Sequence, residues 1–374
     1  MELFFVLTKK VTKKVTLART RYRDSRPAAL LAVLRLPGSA VPAAAARGHT
    51  GEMSRWPILC AAAALAAEAP PLRLSWSLGP EIIIAYPSPG PYQFPDAAFA
   101  TLDERDGSTT MFWSDGDTYR VRGPPPFPNN APSPATPVLG PGANGTYDMN
   151  GNWMLAVSRL DAAGSLVGFT HVENHRFNCS GPYAEWNAAA VVYSADDGAS
   201  WTRAGLAIAD PQPCAPTFGG AGYSSVLPRA DGPGFRAWGG CAGYETDDLA
   251  GAPGSWRRYY AGSFSEPGVG GRQSCLPGVP ADACCPIVAR APALGGFVSV
   301  FTTWGNSSAL FIATSADGVA WAPAQTLLVL PPPRTLAYGA LHYVSGRSAT
   351  LVYAAAPPTG PKPRDFVTRS ITFL

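Results

Sequence analysis

Histidine and glutamate alternate at the end of an apolar run in this sequence. His171, Glu173 and His175 occupy every second position, so on a β-strand their side chains would point to the same face. A carboxylate between two imidazoles, with Arg176 next in the chain, is suited to proton transfer rather than to a plain surface. We therefore expect Glu173 to act as a general acid, and His171, His175 and Arg176 to bind the substrate.

A second carboxylate, Asp96, stands apart from the turns that explain most acidic residues. It follows Pro95 and precedes the apolar run Ala97–Leu102, so it lies at the start of a predicted strand. Two facing carboxylates can divide the roles of acid and of base or nucleophile. We expect Asp96 to be the base or nucleophile, and to stay ionised if backbone or Arg donors reach it. We expect burial beside Phe169 to raise the pKa of Glu173.

Simpler interpretations stay open for these residues. Asp96 could cap a turn after proline, and the face formed by His171, Glu173 and His175 could be a solvated sheet edge. The same three residues could also hold a metal ion, although histidines four residues apart on a strand lie too far apart for easy joint coordination. We expect no metal and no cofactor.

Short strands and turns must position these residues. The chain has 374 residues, with 39 glycines and 39 prolines, and only 15% of its residues are charged. This composition is typical of an all-β protein with many short strands, and long amphipathic helices are not apparent. Apolar runs such as Phe297–Phe301 indicate strands that are buried on both faces.

Two turn motifs share the pattern Ser-x-Asp, then Gly, then Trp, and each follows an apolar run. In such a turn the Asp accepts hydrogen bonds from nearby backbone N–H groups, the Gly takes a positive φ, and the Trp begins the outgoing strand. We assign a structural role to these eight residues: Ser194, Asp196, Gly198, Trp201, Ser315, Asp317, Gly318 and Trp321.

Both motifs resemble the Asp-box, or bacterial neuraminidase repeat, of sialidases and related β-propellers. The second motif is also similar to a hairpin of five-bladed glycosidases of the arabinanase and invertase type. These resemblances imply a propeller fold and a carbohydrate ligand, with the turns lying away from the active site. Asp96 resembles the position at which those five-bladed glycosidases place a base or nucleophile.

The resemblance has two departures. The five-bladed glycosidases usually place a third acid on a later inner strand, and the matching stretch here, Gly222–Leu227, has none. Sialidases carry an Arg-Ile-Pro tripeptide near the start, which is absent here. We therefore do not expect sialidase activity, and a propeller that only binds its ligand stays an alternative.

Aromatic residues are candidate stacking platforms for a sugar ring. Of these we assign Tyr223 and Trp304 to substrate binding, together with Arg120. Each aromatic candidate also fits an ordinary core position, and the full set is Tyr92, Trp113, Tyr119, Tyr223 and Trp304.

Counting outward from the turn motifs divides the chain into five blades, with six or four as alternatives. The stretch Leu72–Tyr86 would complete the last blade. The first blade runs from about Phe94 to Gly123, and the Pro-rich residues 124–141 form a loop. The third blade has strands at Gly222–Leu227, Gly234–Trp238 and Ser255–Phe264, followed by a loop that contains a cysteine.

The amino-terminal part of the sequence differs from the rest. Residues 1–52 carry ten Lys or Arg and three acidic residues, and we interpret them as a disordered leader or a gene-model extension. Residues 53–69 fit a secretory signal peptide that starts at Met53 and is cleaved after Ala69. A basic transit or nucleic-acid-binding arm is the alternative. Residues 70–374 are a single propeller domain with a net negative charge, which argues against nucleic-acid binding.

Cysteines and glycosylation motifs agree with export. Adjacent cysteines rarely bond to each other, so we expect Cys284 and Cys285 to bond elsewhere, although a zinc site is an alternative. Six cysteines follow the signal sequence: Cys179, Cys214, Cys241, Cys275, Cys284 and Cys285. Asn-x-Ser/Thr sequons start at Asn144, Asn178 and Asn306.

The sequence thus predicts a secreted, monomeric five-bladed propeller that acts on a carbohydrate, using Asp96 and Glu173. The alternative is a non-catalytic propeller that binds carbohydrate or protein. The apolar run in the signal sequence is too short for a membrane span.

Overall fold

The protein forms five β-sheets arranged as a five-bladed β-propeller, which confirms the predicted fold class. The structure is a computed structural model that describes residues 73–84, 96–124, 135–175, 186–210, 219–222, 224–304, 306–332, 334–356 and 364–374. Neighbouring strands within each sheet are antiparallel, apart from the short strand β11. In the described residues, the only helical element is the 3-10 turn Pro292–Leu294.

The first blade has four strands, one more than the sequence analysis placed there. Its strands are β3 (Ala100–Asp103), β4 (Thr109–Asp115), β5 (Asp117–Gly123) and β6 (Thr136–Leu139). Strand β6 lies inside the segment that we assigned to a loop because of its prolines. It is the outermost strand of its sheet, where a proline costs no ladder hydrogen bond.

The second blade contains the His–Glu–His segment and the first turn motif. Its strands are β7 (Gly151–Arg159), β8 (Leu166–Asn174), β9 (Trp186–Ser194), β10 (Thr202–Ile208) and the two-residue β11 (Gly219–Gly220). Because β8 pairs antiparallel with β7, Glu173 near the end of β8 lies opposite Gly151 at the start of β7.

The third blade differs most from the sequence-based boundaries. Its strands are β12 (Ser225–Pro228), β13 (Phe235–Gly239), β14 (Ala242–Thr246), β15 (Arg257–Tyr260) and β16 (Ser263–Pro267).

The sequence pattern did not predict β14, and it predicted a single strand where the structure has β15 and β16. A turn separates these two strands, where Ala261 and Gly262 adopt positive φ values of 49° and 97°. A disulfide joins Cys241 to Cys275 beside this blade.

The fourth blade has four strands. It consists of β17 (Ala283–Ala291), β18 (Gly296–Thr303), β19 (Asn306–Ser315) and β20 (Gln325–Val329). The second turn motif joins β19 to β20. Strand β18 is buried along most of its length, as expected for a sheet between two neighbouring blades.

The fifth blade is completed by the beginning of the described chain. Its strands are β21 (Thr335–Ser345), β22 (Ser348–Ala356) and β23 (Asp365–Phe373). Two short strands, β1 (Trp76–Leu78) and β2 (Ile82–Ile84), both pair with β23. The prediction that a segment before the first blade completes the last one is therefore confirmed.

The first strand of each blade lies innermost. β3, β7, β12, β17 and β21 contact one another in sequence around the centre. We call the face on which these five strands begin the upper face. By the antiparallel pairing, the second strands end and the third strands begin on this face, while the two turn motifs lie on the opposite, lower face.

The blades pack through apolar side chains that are fully excluded from solvent. Phe169 packs edge to face against Trp256, with the ring centroids 5.8 Å apart. Between the first and last blades, Phe99 stacks on His342 at 4.4 Å. Burial lowers the pKa of His342 to about 4, so this half-buried imidazole is neutral at pH 7.

The cysteines depart from the sequence-based expectation. Cys284 and Cys285 bond to no other cysteine in the described residues, and their sulfur atoms instead lie 2.7 Å from each other. The reason is local, because a bulge in β17 brings the two side chains together.

The leader, the signal sequence, Cys179, Cys214 and the sequon at Asn178 lie outside the described residues. No helix in the described ranges is long and apolar enough to cross a membrane.

Candidate active site on the upper face

Asp96 is fixed by both ends of the propeller. Arg364 lies directly before β23, and its Nη1 donates a hydrogen bond of 3.0 Å to Oδ1 of Asp96. The backbone N–H of Asp96 donates to the carbonyl oxygen of Ser114, near the end of β4, at 3.2 Å. The side chain of Asp96 is 28% exposed to solvent. Its carboxyl group is thus oriented by protein contacts and still accessible to a ligand.

Two innermost strands carry an unusual backbone conformation close to this ion pair. Tyr338 in β21 and Cys285 in β17 have positive φ values of 54° and 55°. Each lies at a bulge where the register with the neighbouring strand shifts. Residues with side chains rarely adopt such φ values, and when they do they are often found at functional sites. Bulges also re-aim side chains near active sites.

Tyr338 extends the group around Asp96. The guanidinium of Arg364 lies over the Tyr338 ring, 5.3 Å from its centroid. Burial raises the pKa of the Tyr338 hydroxyl well above its usual range, so this hydroxyl keeps its proton at neutral pH. Tyr338 therefore supplies a protonated hydroxyl beside a fixed positive charge.

Glu173 is held by the two histidines that flank it in sequence. Its Oε1 lies 3.1 Å from Nε2 of His171, and its Oε2 lies 2.7 Å from Nε2 of His175. Only 19% of the Glu173 side chain is exposed. The expected shared face of the strand is therefore present, and both carboxylate oxygens accept hydrogen bonds if each ring carries its proton on Nε2.

Blade three approaches this cluster closely at a glycine. A Cβ atom at Gly222 would lie 3.2 Å from Nδ1 of His171, closer than most real contacts of this kind. The stretch that we searched for a third acid therefore leaves space for the His171 ring.

The pKa values of the two carboxyl groups are opposite to those expected from the sequence. Burial raises the pKa of Asp96 to about 6, against the lowering influence of Arg364 and with a further rise from the charge of Glu173. Burial also disfavours the ionised form of Glu173. Hydrogen bonds from His171 and His175 outweigh this effect of burial and lower the pKa of Glu173 to about 2. The expectation of a raised pKa at Glu173 is therefore wrong, because the histidines stabilise its charge.

A third carboxylate, missed by the sequence analysis, also acts on Asp96. Asp115 ends β4, is only 2% exposed, and its charge contributes to the raised pKa of Asp96. The Gly116 and Asp117 that follow Asp115 are typical of a turn, which is how most acidic residues of the sequence are explained. The signal was its place at the end of a strand whose seven residues are all buried. Arg364 and Tyr338 were missed as well, because no local pattern marks them.

Of the other predicted binding residues, some lie on the upper face and others do not. Trp304 follows β18 on the upper face, and 65% of its surface is exposed. Arg120 lies in the third strand of its blade, and no described contact joins it to Asp96 or Glu173. Trp113 and Tyr119 stack on each other at 4.5 Å in the core, so neither is a platform. Three further candidates lie outside the described residues: Tyr92, Arg176 and Tyr223.

The first turn motif is built from hydrogen bonds within the turn. Asp196 Oδ1 accepts from the backbone N–H of Ser200 at 2.9 Å and from the hydroxyl of Ser194 at 2.7 Å. Gly198 has a φ of 82°, a value that favours glycine. Trp201 is buried and packs edge to face on Phe112 of the first blade, at 5.7 Å.

The second turn motif repeats this arrangement. Asp317 Oδ1 accepts from the backbone N–H groups of Val319 and Ala320 at 2.8 and 2.9 Å, and from the hydroxyl of Ser315 at 3.0 Å. Gly318 has a φ of 76°, and Trp321 is buried. Both motifs lie on the lower face, away from Asp96 and Glu173.

No group of three or more His, Cys, Asp or Glu residues in the described ranges is arranged to hold a metal ion. His171 and His175 instead direct Nε2 at the Glu173 carboxylate. The geometry therefore offers a proton-transfer site: one carboxyl group that titrates near pH 6 and one that stays ionised.

Comparisons with known proteins give weak structural likenesses only. No family model matches the sequence, and no curated protein matches it. An α-L-arabinofuranosidase from Lactobacillus brevis is 13% identical with a TM-score of 0.47, and the match covers 73% of this chain and 90% of that chain.

Two further matches are similar in strength. An α-L-arabinanase from Cellvibrio cellulosa is 10% identical with a TM-score of 0.46, covering 74% of this chain and 92% of the other. A family 117 glycoside hydrolase from Zobellia galactanivorans is 10% identical with a TM-score of 0.45, covering 80% and 90%. All three are described as glycosidases, but likenesses of this size establish nothing about activity.

Proposed function

We propose that this chain is a glycoside hydrolase that uses Asp96 and Glu173 on the upper face of its propeller. The supporting observation is the separation of their pKa values, about 6 for Asp96 and about 2 for Glu173. Two carboxyl groups whose surroundings separate their pKa values in this way can divide the roles of proton donor and charged partner.

The structure favours an exchange of the roles that we expected from the sequence. Asp96 can carry a proton at mildly acidic pH, so it is the better donor to the oxygen of a leaving group. Glu173 is ionised throughout the neutral range and is suited to act as base or nucleophile, or to stabilise a positively charged transition state. Arg364 and the Tyr338 hydroxyl would donate hydrogen bonds to the hydroxyl groups of a bound sugar.

A comparison of leaving groups tests this assignment. Asp96→Asn should slow hydrolysis of alkyl glycosides at least ~10²-fold, the usual contribution of a general acid. It should retain most activity on dinitrophenyl glycosides, whose leaving group needs no proton. Glu173→Gln should lose activity on both. The control is Asp106→Asn, which alters an exposed carboxylate paired with Arg122 in the same blade. Loss of both activities with Asp96→Asn and normal hydrolysis with Glu173→Gln would contradict the assignment.

A non-catalytic carbohydrate-binding function is the second candidate. It is favoured by the two histidine hydrogen bonds that occupy both oxygens of Glu173, as in a fixed ligand-binding carboxylate. Calorimetric titration against a glycan panel, combined with product analysis, separates the two functions. Binding without any turnover, lost in Glu173→Gln, would establish this second candidate.

We also propose that the protein is secreted as a monomer after cleavage at Ala69. The support comes from the sequence of residues 53–69, and from the exposed sequon asparagines Asn144 and Asn306. Amino-terminal sequencing and glycan analysis of protein from the culture medium test this proposal. Mature protein that retains residues 1–52 would contradict it.

A further inference from the structure

Cys284 and Cys285 lie at the start of β17, the innermost strand of the fourth blade, on the upper face. In a regular strand, consecutive side chains point to opposite faces, so the sulfur atoms of adjacent cysteines stay apart. Here β17 is bulged between Cys284 and Ile287, and Cys285 has a φ of 55°. The bulge brings both sulfur atoms to the same side, 2.7 Å apart.

This separation is shorter than an ordinary packing contact between heavy atoms, about 3.5–4.0 Å, and longer than a disulfide bond, about 2.03–2.05 Å. The two sulfur atoms therefore need only a small movement to form a bond. The bulge and the positive φ of Cys285, which a residue with a side chain rarely adopts, already place both side chains on the same side of the strand.

The cysteine pair belongs to the surroundings of the candidate active site. The charges of Asp96 and Arg364 both act on the thiol of Cys285. The Cys285 side chain is partly exposed, whereas Cys284 is buried. A change in the covalent state of the pair would therefore alter a surface beside the carboxyl group that we propose as proton donor.

The surroundings also favour one reactive thiolate. Hydrogen bonds from the Cys285 thiol and from Thr302 lower the pKa of the Cys284 thiol, although burial opposes this. A thiolate is the species that attacks a disulfide, so Cys284 is suited to attack a mixed disulfide formed at its partly exposed neighbour Cys285.

We propose that Cys284 and Cys285 form a disulfide with each other, and that this bond changes the ligand affinity of the site beside Asp96. The oxidant is a disulfide of a small thiol or of a protein. The partly exposed Cys285 loses its proton, attacks it, forms a mixed disulfide and releases one thiolate, which takes up a proton. Cys284 then attacks the Cys285 sulfur as a thiolate, having given up its own proton, and releases the second thiolate. The pair loses two electrons and two protons, and the oxidant becomes two thiols.

The effect on the ligand site follows from the chemistry of the two states. The reduced pair presents a thiol that can donate a hydrogen bond next to Asp96. The oxidised pair presents an eight-membered ring without a thiol donor, and the disulfide offers an apolar surface to the ring of a sugar. The formation of the disulfide does not depend on the proposed function, whereas the effect on carbohydrate affinity rests on it.

Mass spectrometry of the full-length protein tests the disulfide. Cleavage with trypsin and with a protease that cuts before aspartate isolates residues 282–290, which contain Cys284 and Cys285 but not Cys275. After incubation with oxidised glutathione, this peptide should bind no iodoacetamide and lack two hydrogen atoms. After reduction with dithiothreitol it should bind two labels. Two labels on the oxidised sample, or a bond from either residue to another cysteine, would overturn the proposal.

Titration with carbohydrate tests the second part. The oxidised and reduced proteins should differ at least several-fold in affinity for any glycan that binds, and Cys285→Ser should show no such dependence on oxidation. Equal affinities would overturn the effect on the site. If no glycan binds to either state while the peptide is oxidised as expected, the proposed function fails and the disulfide stands.

Discussion

Arg364 and Asp96 are 268 residues apart in sequence, yet the guanidinium of one donates a 3.0 Å hydrogen bond to the carboxylate of the other. The contact joins the beginning of the last strand to the beginning of the first blade. It places a positive charge against a carboxyl group whose pKa is nevertheless raised to about 6, because burial and two neighbouring carboxylates outweigh the arginine. Arg364 is therefore the group that limits the rise in the pKa of Asp96.

Replacing Arg364 should raise the pKa of Asp96 further. In Arg364→Gln the carboxyl group loses the positive charge that favours its ionised form, so its midpoint should move above 6. Carbon-detected NMR of the aspartate carboxyl groups measures this midpoint. The control is Arg122→Gln, which breaks an exposed ion pair with Asp106 and should leave Asp96 unchanged. A lower midpoint in Arg364→Gln would contradict the electrostatic account.

The raised pKa of Asp96 also predicts a pH-dependent cost in stability. A carboxyl group with a folded-state pKa of about 6 and an ordinary value of 3.8 stabilises the fold below pH 3.8, and this contribution is lost as the pH rises towards 6. Asp96→Asn cannot ionise. Its free energy of unfolding relative to the wild type should therefore rise by about 1–3 kcal/mol between pH 4 and pH 6.5.

Urea denaturation at several pH values measures this difference. Other titrating groups contribute equally to both proteins, so their effects cancel. A difference that is constant from pH 4 to pH 6.5 would show that the pKa of Asp96 is not raised.

The histidines should control the ionisation of Glu173. His171→Phe keeps a ring but removes the hydrogen bond to Oε1, so the pKa of Glu173 should rise from about 2. His175→Phe should act in the same direction through Oε2. NMR titration of the glutamate carboxyl groups checks both variants, and the double variant should show the largest rise. An unchanged pKa in the double variant would mean that other groups stabilise the charge of Glu173.

The sequence predicted the parts of this molecule that depend on local pattern. Apolar runs and the two turn motifs predicted the five blades, and the His–Glu–His spacing singled out Glu173. The missed strands β6 and β14 contain proline or polar residues at positions where the sheet tolerates them. Three members of the group around Asp96 were not predictable, because Cys285, Tyr338 and Arg364 lie in the last two blades and meet Asp96 only after the ring closes. The order of the two pKa values depends on the same long-range contacts.

The two turn motifs should affect stability and not ligand binding. Asp317→Ala removes the acceptor for two backbone N–H groups and one hydroxyl, and should cost about 1–2 kcal/mol of unfolding free energy. Asp196→Ala should cost less, since the Asp196 side chain accepts from one backbone N–H group, whereas Asp317 accepts from two. Denaturant unfolding and ligand titration together check this expectation. Lost binding at unchanged stability would place the turn in a ligand site.

Trp304 should contribute to ligand binding without supporting the fold. It lies on the upper face, as Glu173 and Asp96 do, and with 65% of its surface exposed it has little core packing to lose. An aromatic ring in such a position can bury the apolar face of a sugar. Trp304→Ala should therefore weaken carbohydrate binding about tenfold and leave the midpoint of thermal unfolding nearly unchanged.

The matched control for Trp304 is Leu249→Ala. Leu249 is also a large apolar residue, 71% exposed, but it follows β14 on the lower face. Its replacement should change neither affinity nor stability, because it lies on the face opposite to the site. Calorimetric titration of both variants against the same glycan gives the comparison. Equal weakening by both variants would mean that the ligand does not bind at the upper face. Unchanged binding in Trp304→Ala alone would remove Trp304 from the site and leave Asp96 and Glu173 to be tested on their own.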